Sequence, residues 1–173
     1  DAQRRKALDE ALNAMASLGM TGVHDAGVTP EQWGIYRSYA GQKKLTSRIY
    51  AMIGGAGEVF DVLAQNGPQA GLGEDRLYMR SVKLYADGAL GSRGAALHWP
   101  YSDDPENHGL LFVDDITMVN QIARVVSRGF QANVHAIGDK ANTQVLDAFE
   151  TVLRHNDTGL RHRIEHAQVM RLE

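Results

Sequence analysis

Apolar residues fall on one helical stripe over 3–18, at Ala7, Leu8, Ala11, Leu12, Met15 and Leu18, and Gly19 follows where helices commonly end. Residues 20–27 then read as a short strand and turn. Thr29-Pro30 opens a second helix, with Thr29 as N-cap and Pro30 in the first helical position, running to about residue 44. A β-type run over 47–54 ends at Gly54-Gly55, and a helical stretch over 57–66 is stopped by Gly67-Pro68. A third strand is expected over 80–88. Residues 88–113 carry no clear period and include Pro100 and Pro105. An amphipathic helix over 114–129, capped by Asp114 or Asp115, precedes a fourth strand over 130–138. A helix over 139–156 and a fifth strand over 161–168 complete the pattern.

Strands alternating with helices about every 30 residues imply βαβ units with parallel pairing and right-handed crossovers. Two α/β architectures fit, a doubly wound open sheet and a (β/α)8 TIM-type barrel. No Gly-x-Gly-x-x-Gly follows the first strand, which disfavours the dinucleotide-binding version. A whole barrel takes about 250 residues, whereas this chain has 173 and five visible strands. If it is a barrel, the expectation is a central part of one, in a single domain over 1–173.

In parallel α/β folds, ligands bind where strands end. The first strand offers His24 and Asp25, and the third Lys83, Tyr85 and Asp87, alternating onto one face. The fourth offers His135, with Asp139 past the turn, and the fifth His166 beside Glu165. His135 and His166 come from consecutive strands and can converge, and neutral imidazoles suit zinc and its neighbours. Lys83 is a charged amine between Val82 and Leu84. Burial would favour its neutral form, which can react with carbon dioxide to give an anionic carbamate ligand. Structural readings stand beside these: a hydrogen-bonded His24, a Lys83 salt bridge to Asp87 or Glu165, and Asp139 as a helix N-cap. His98, His108, His155 and His162 are expected on surfaces or loops.

Composition narrows the classes. A net charge of −3 gives no long-range attraction to nucleic acid or anionic membrane, and no apolar run is long enough to span a bilayer. The absence of cysteine excludes disulfides and thiolate ligands. The compartment stays open, with the cytoplasm favoured. The chain does not begin with Met, so an upstream segment is to be expected.

Three stretches, VKLYADGALGSRGAAL (82–97), VHAIGDKANTQVLDAFE (134–150) and RHRIEHAQ (161–168), resemble the amidohydrolase superfamily, and within it the branch of YtcJ-like and N-substituted formamide deformylase-like enzymes. The resemblance covers about residues 18–173. It implies a distorted (β/α)8 barrel with one or two divalent metals, zinc foremost, at the carboxyl ends of the strands. It implies hydrolysis of amide-type C–N bonds in a small-molecule substrate. Lys83 matches the carboxylated lysine of strand 4, His135 the strand-5 ligand and His166 the strand-6 ligand. Asp87, Arg93 and Asp139 fall in motif positions that shape the substrate pocket or support the metal ligands from behind.

Two parts of that pattern are absent. No His-x-His pair occurs in the sequence, and no strand-end aspartate follows His166. The strands would be numbers 2 to 6 of eight, and a piece lacking a general base is expected to be inactive alone and to self-associate through open edges. Trp99, Tyr101 and Phe112 in the 88–113 segment would either line the substrate cleft or pack that loop down. The alternatives are a non-catalytic α/β assembly module and, more weakly, a phosphate site at the GGAG turn of 54–57.

Overall fold

The computed structural model describes residues 2–154 and 158–171. The chain divides into two compact units, Asp1–Val82 and Lys83–Glu173. In both, β-strands alternate with helices in the α/β arrangement of a partial TIM-type barrel, as the hydrophobic rhythm predicts.

The first unit opens with α1 (Ala2–Ser17), of which Leu12 alone is buried, while Leu18 is 76% exposed. β1 (Gly22–Val28) pairs in parallel with β2 (Arg48–Gly54), with Gly22 opposite Arg48 and Asp25 opposite Ala51. Between them, α2 (Pro30–Gly41) begins as expected, and a reciprocal cap completes the start. Thr29 Oγ1 accepts from the Gln32 N–H, and the Gln32 side chain accepts from the Thr29 N–H. α3 (Glu58–Leu63) is shorter than its pattern suggests. β3 (Gln69–Gly71) and α4 (Leu72–Asp75) lie in a stretch where the sequence pattern predicts no element, and β3 pairs antiparallel with β4 (Leu77–Tyr85). β4 thus starts three residues earlier than expected. Val28, Ala51, Ile53, Phe60, Leu77 and Met79 form this unit's core.

β4 ends in the second unit, where the Ala86 N–H reaches the His135 carbonyl at 2.8 Å. α5 (Asp115–Ser127) is capped by Asp114, whose carboxylate accepts from the Thr117 N–H at 2.7 Å. β5 (Gln131–Ala136) pairs in parallel with β6 (Arg163–His166), and α6 (Asp139–Leu153) connects them. The apolar stripes of α5 and α6 pack on β5, burying Met118, Ile122, Val125, Val134, Ala141 and Val145. The expected end of the last helix, at 155–156, and with it His155, lies outside the described residues. Among those described, no helix is long and apolar enough to cross a membrane.

Candidate metal centre

The second unit brings Lys83, His135 and His166 into one neighbourhood. Lys83 is 5% exposed at the end of β4. Its Nζ lies 4.3 Å from the centroid of the Tyr85 ring and makes a long, 3.5 Å hydrogen bond to the Leu84 carbonyl. Among the described residues it forms no ion pair with Asp87 or Glu165. Glu165 instead pairs with Arg163 at 2.7 Å. Burial therefore lowers the Lys83 pKa from the ordinary lysine value, and the more distant Glu165 charge only partly offsets this.

His135 sits at the end of β5, 13% exposed, with its ring 5.6 Å from that of Tyr85. Its Nε2 lies 3.4 Å from the Gly88 carbonyl and 3.4 Å from Asp87 Oδ1. Both neighbours are acceptors, so the proton of the neutral ring belongs on Nε2 and the lone pair on Nδ1. Burial, foremost, lowers the pKa of His135, and the amine of Lys83 and the ring of His166 push in the same direction. The Gly88 carbonyl and Asp87 act against the shift.

His166 arrives by an irregularity. In the β5–β6 register His135 stands opposite Glu165, and His166 stands opposite Ala136. Partners in register share a face of the sheet, so a regular strand would send His166 to the opposite face from His135. At His166 the backbone turns left-handed, with φ 80°, and Ala167 follows at φ 43°. The two imidazoles then meet edge to face, with centroids 4.7 Å apart. Backbone bonds hold the turn: the Ala167 N–H donates to the Ala136 carbonyl at 3.0 Å, and the Val169 N–H to Ile137 at 2.9 Å.

The remaining sequence-derived positions are engaged elsewhere. Asp87 is fully buried and accepts three backbone N–H groups, from Ala96, Ile137 and Gly138. Arg93, with φ 55°, forms a two-pronged pair with Asp103. Asp139 is the first residue of α6, the N-cap being Gly138, and its carboxylate accepts from the His98 N–H at 2.9 Å. Asp139 thus ties the 88–113 loop to α6 rather than capping the helix. Tyr101 packs that loop, donating its hydroxyl to the Ala95 carbonyl, whereas Trp99 and Phe112 stay exposed. In the first unit, the His24 and Tyr50 rings lie tilted with centroids 5.0 Å apart, and Asp25 accepts from the Tyr36 hydroxyl at 2.5 Å. Burial and that carboxylate raise the Tyr36 pKa.

Two residues carry more than their sequence suggests. Tyr85 forms a wall against both Lys83 and His135; its alternation with Lys83 was the available signal. His162, expected at the surface, is half-buried. Its ring stacks on Phe149 at 5.7 Å, and its Nδ1 accepts from the Ala132 N–H at 3.0 Å.

The donor chemistry suits a divalent cation: a neutral imidazole with a free Nδ1, a second imidazole beside it, and a buried amine poised for the neutral form. Among the described residues no three His, Asp and Glu side chains gather closely enough to hold an ion. Lys83 is the buried nitrogen beside these two histidines.

Comparison with known proteins identifies the family. The amidohydrolase family model matches residues 1–173. Protein LONG AFTER FAR-RED 3 of Arabidopsis thaliana is 35% identical over 179 aligned residues, covering 96% of this chain and 30% of that protein. YtcJ of Bacillus subtilis is 44% identical over 91 residues, covering 52% of this chain and 17% of its own length. The crystal structure of an uncharacterized metal-dependent hydrolase from Pyrococcus horikoshii OT3 superposes with a TM-score of 0.82 at 34% identity, covering 94% of this chain and 32% of that one. The chain thus spans about a third or less of the length of these relatives. With its family model matched from end to end, the chain belongs to the amidohydrolase family.

Proposed function

We propose that this chain is the part of a metal-dependent hydrolase that supplies Lys83, His135 and His166 as ligands to one or two divalent cations, zinc foremost. The observation that carries the reading is the convergence of two imidazoles on a buried lysine that has no carboxylate partner within ion-pairing distance. A cation bound there would polarise a substrate carbonyl and bring the pKa of water down to about 7.

The chain's own residues prepare that site. Burial favours the neutral Lys83 amine, whose lone pair forms an N–C bond to carbon dioxide with release of one proton. The resulting carbamate supplies anionic oxygens where, among the described residues, no three His, Asp and Glu side chains gather. His135 offers Nδ1 because its Nε2–H faces Gly88 and Asp87. The substrate is a small molecule with an amide-type C–N bond, approached past the exposed Trp99 and Phe112 of the 88–113 loop. Asp87, Arg93 and Asp139 contribute to the pocket by fixing that loop rather than through free side-chain atoms. The general base would come from a strand outside this sequence. The strands β1 and β6, each paired on one side only among the described residues, favour homo-oligomers of the isolated chain.

Metal stoichiometry of the full chain, loaded with Zn2+ in bicarbonate buffer, tests the assignment. Lys83→Ala, His135→Ala and His166→Ala should each weaken zinc binding at least tenfold. 13C-bicarbonate should give a carbamate signal that Lys83→Ala abolishes. Unchanged zinc binding in all three variants would leave a non-catalytic β/α module.

A further inference from the structure

We propose that Asp87 is a positioning residue: one buried carboxylate that fixes the ring and tautomer of His135 and pins the 88–113 loop to the β5–α6 turn. The proposal rests on the reading of His135 as a metal ligand.

The geometry is unusually complete. Asp87 Oδ1 accepts from the Ile137 N–H at 2.9 Å and faces His135 Nε2 at 3.4 Å. Asp87 Oδ2 accepts from the Ala96 N–H at 2.9 Å and the Gly138 N–H at 2.8 Å. Three backbone N–H donors from two separated segments, with the His135 ring beside them, therefore surround a side chain with no exposure to solvent. Acceptor capacity on this scale is matched by a carboxylate and by no neutral side chain of the same size. An asparagine would turn an NH2 group toward one pair of these N–H donors and leave them without an acceptor, a costly arrangement when buried.

The segments so joined are the ones that matter to the site. Ile137 and Gly138 directly follow the strand that carries His135. Ala96 belongs to the loop, and its carbonyl accepts in turn from the Lys140 and Ala141 N–H groups at the start of α6. Gly138 makes the junction possible, since a Cβ there would lie 1.9 Å from the Ala96 carbonyl oxygen. Asp87 Oδ1 stands as close to His135 Nε2 as the Gly88 carbonyl does, so the two acceptors together favour the Nε2–H tautomer and leave the lone pair on Nδ1. Loop closure and ligand orientation thus depend on the same anion.

The test uses the full chain with histidine-selective 15N labelling, in chelator, with the His135 signal assigned by its loss in His135→Gln. The wild type should show the Nε2–H tautomer. In Asp87→Asn that tautomer should no longer dominate, and amide exchange at Ala96, Ile137 and Gly138 should accelerate at least tenfold while Ile49 is unaffected. Zn2+ affinity should fall about 10–100-fold. A purely structural Asp87 would change exchange rates without changing the tautomer. An Nδ1–H tautomer in the wild type, or an Asn variant that keeps both tautomer and zinc affinity, overturns the proposal. Should Asp87→Asn fail to fold, wild-type exchange decides: a shared acceptor requires the Ala96, Ile137 and Gly138 amides to open together, and independent opening refutes it. Failure of the wild type to bind Zn2+ removes the hydrolase reading, while the tautomer and exchange results still judge Asp87.

Discussion

Gly138→Ala offers a test whose sign separates two physical accounts. Gly138 has φ −73°, a conformation open to any residue. If backbone entropy alone mattered, alanine would stabilise the chain by about 0.4–1 kcal/mol by restricting the unfolded state. The structure predicts the opposite. The new Cβ would lie 1.9 Å from the Ala96 oxygen, 2.5 Å from its carbonyl carbon and 2.7 Å from its nitrogen, all backbone atoms that no rotamer change can move. Real Cβ contacts essentially never fall below 3.0 Å, so Ala96 must retreat by about 1 Å, enough to break its bond to Asp87. Overpacking of this kind costs about 1–3 kcal/mol, and losing a hydrogen bond to a charged group about 1.5–3 kcal/mol. After the entropic gain, the net destabilisation is roughly 2–5 kcal/mol, or a fall of roughly 5–15 °C in melting temperature. Urea unfolding followed by circular dichroism measures it. Gly34→Ala within α2, where an added Cβ meets nothing within 4 Å, is the control and should stabilise by about 0.5–1 kcal/mol. A Gly138→Ala protein as stable as the wild type would refute the close approach of the loop to the turn.

Other outcomes follow from single features. Thr29→Ala removes the hydroxyl half of the α2 cap, leaving the Gln32 N–H without its acceptor, and should cost about 1 kcal/mol in chemical denaturation. Burial lowers the pKa of His162 below the ordinary histidine value of about 6.5. As pH falls, the unfolded chain protonates there first, so this residue costs no stability above about pH 6.5 and progressively more below it, levelling off under the folded-state pKa. Melting temperatures measured from pH 7.5 to 5 should show the decline, and His162→Gln, which keeps an acceptor for the Ala132 N–H, should flatten it. Arg93→Ala breaks a solvent-exposed pair that tethers the loop only at its surface and should change stability by less than about 1 kcal/mol; a larger loss in thermal unfolding would refute this.

Much of this was legible in the sequence where the cause is local. The Thr29-Pro30 helix start, the Asp114 cap and the strand carrying Lys83 follow from neighbours a few residues apart, and so does the unpatterned 88–113 segment. β3 and α4 were not legible, because Gly71, Gly73, Glu74 and Asp75 all take left-handed conformations that break any hydrophobic period. The burial of Asp87 was equally hidden, since its donors lie 9, 50 and 51 residues away. His162 reads as a surface residue until Phe149 and Ala132 are brought to it from other elements. The motif spacing pointed to His135 and His166 together, yet a regular strand would have parted them, and only the backbone reversal at His166 joins the pair.

That reversal has a consequence for how the chain can change. Two successive non-glycine residues in left-handed conformation cost of order 1–3 kcal/mol each. Ala167→Gly should relax the second and raise stability by about 1 kcal/mol. The same freedom would let the His166 imidazole drift from its neighbour. Selection for heat resistance and selection for a well-aimed ligand therefore pull this corner of the chain in opposite directions, and a thermostabilised descendant carrying glycine at 167 would be expected to hold its cation less firmly.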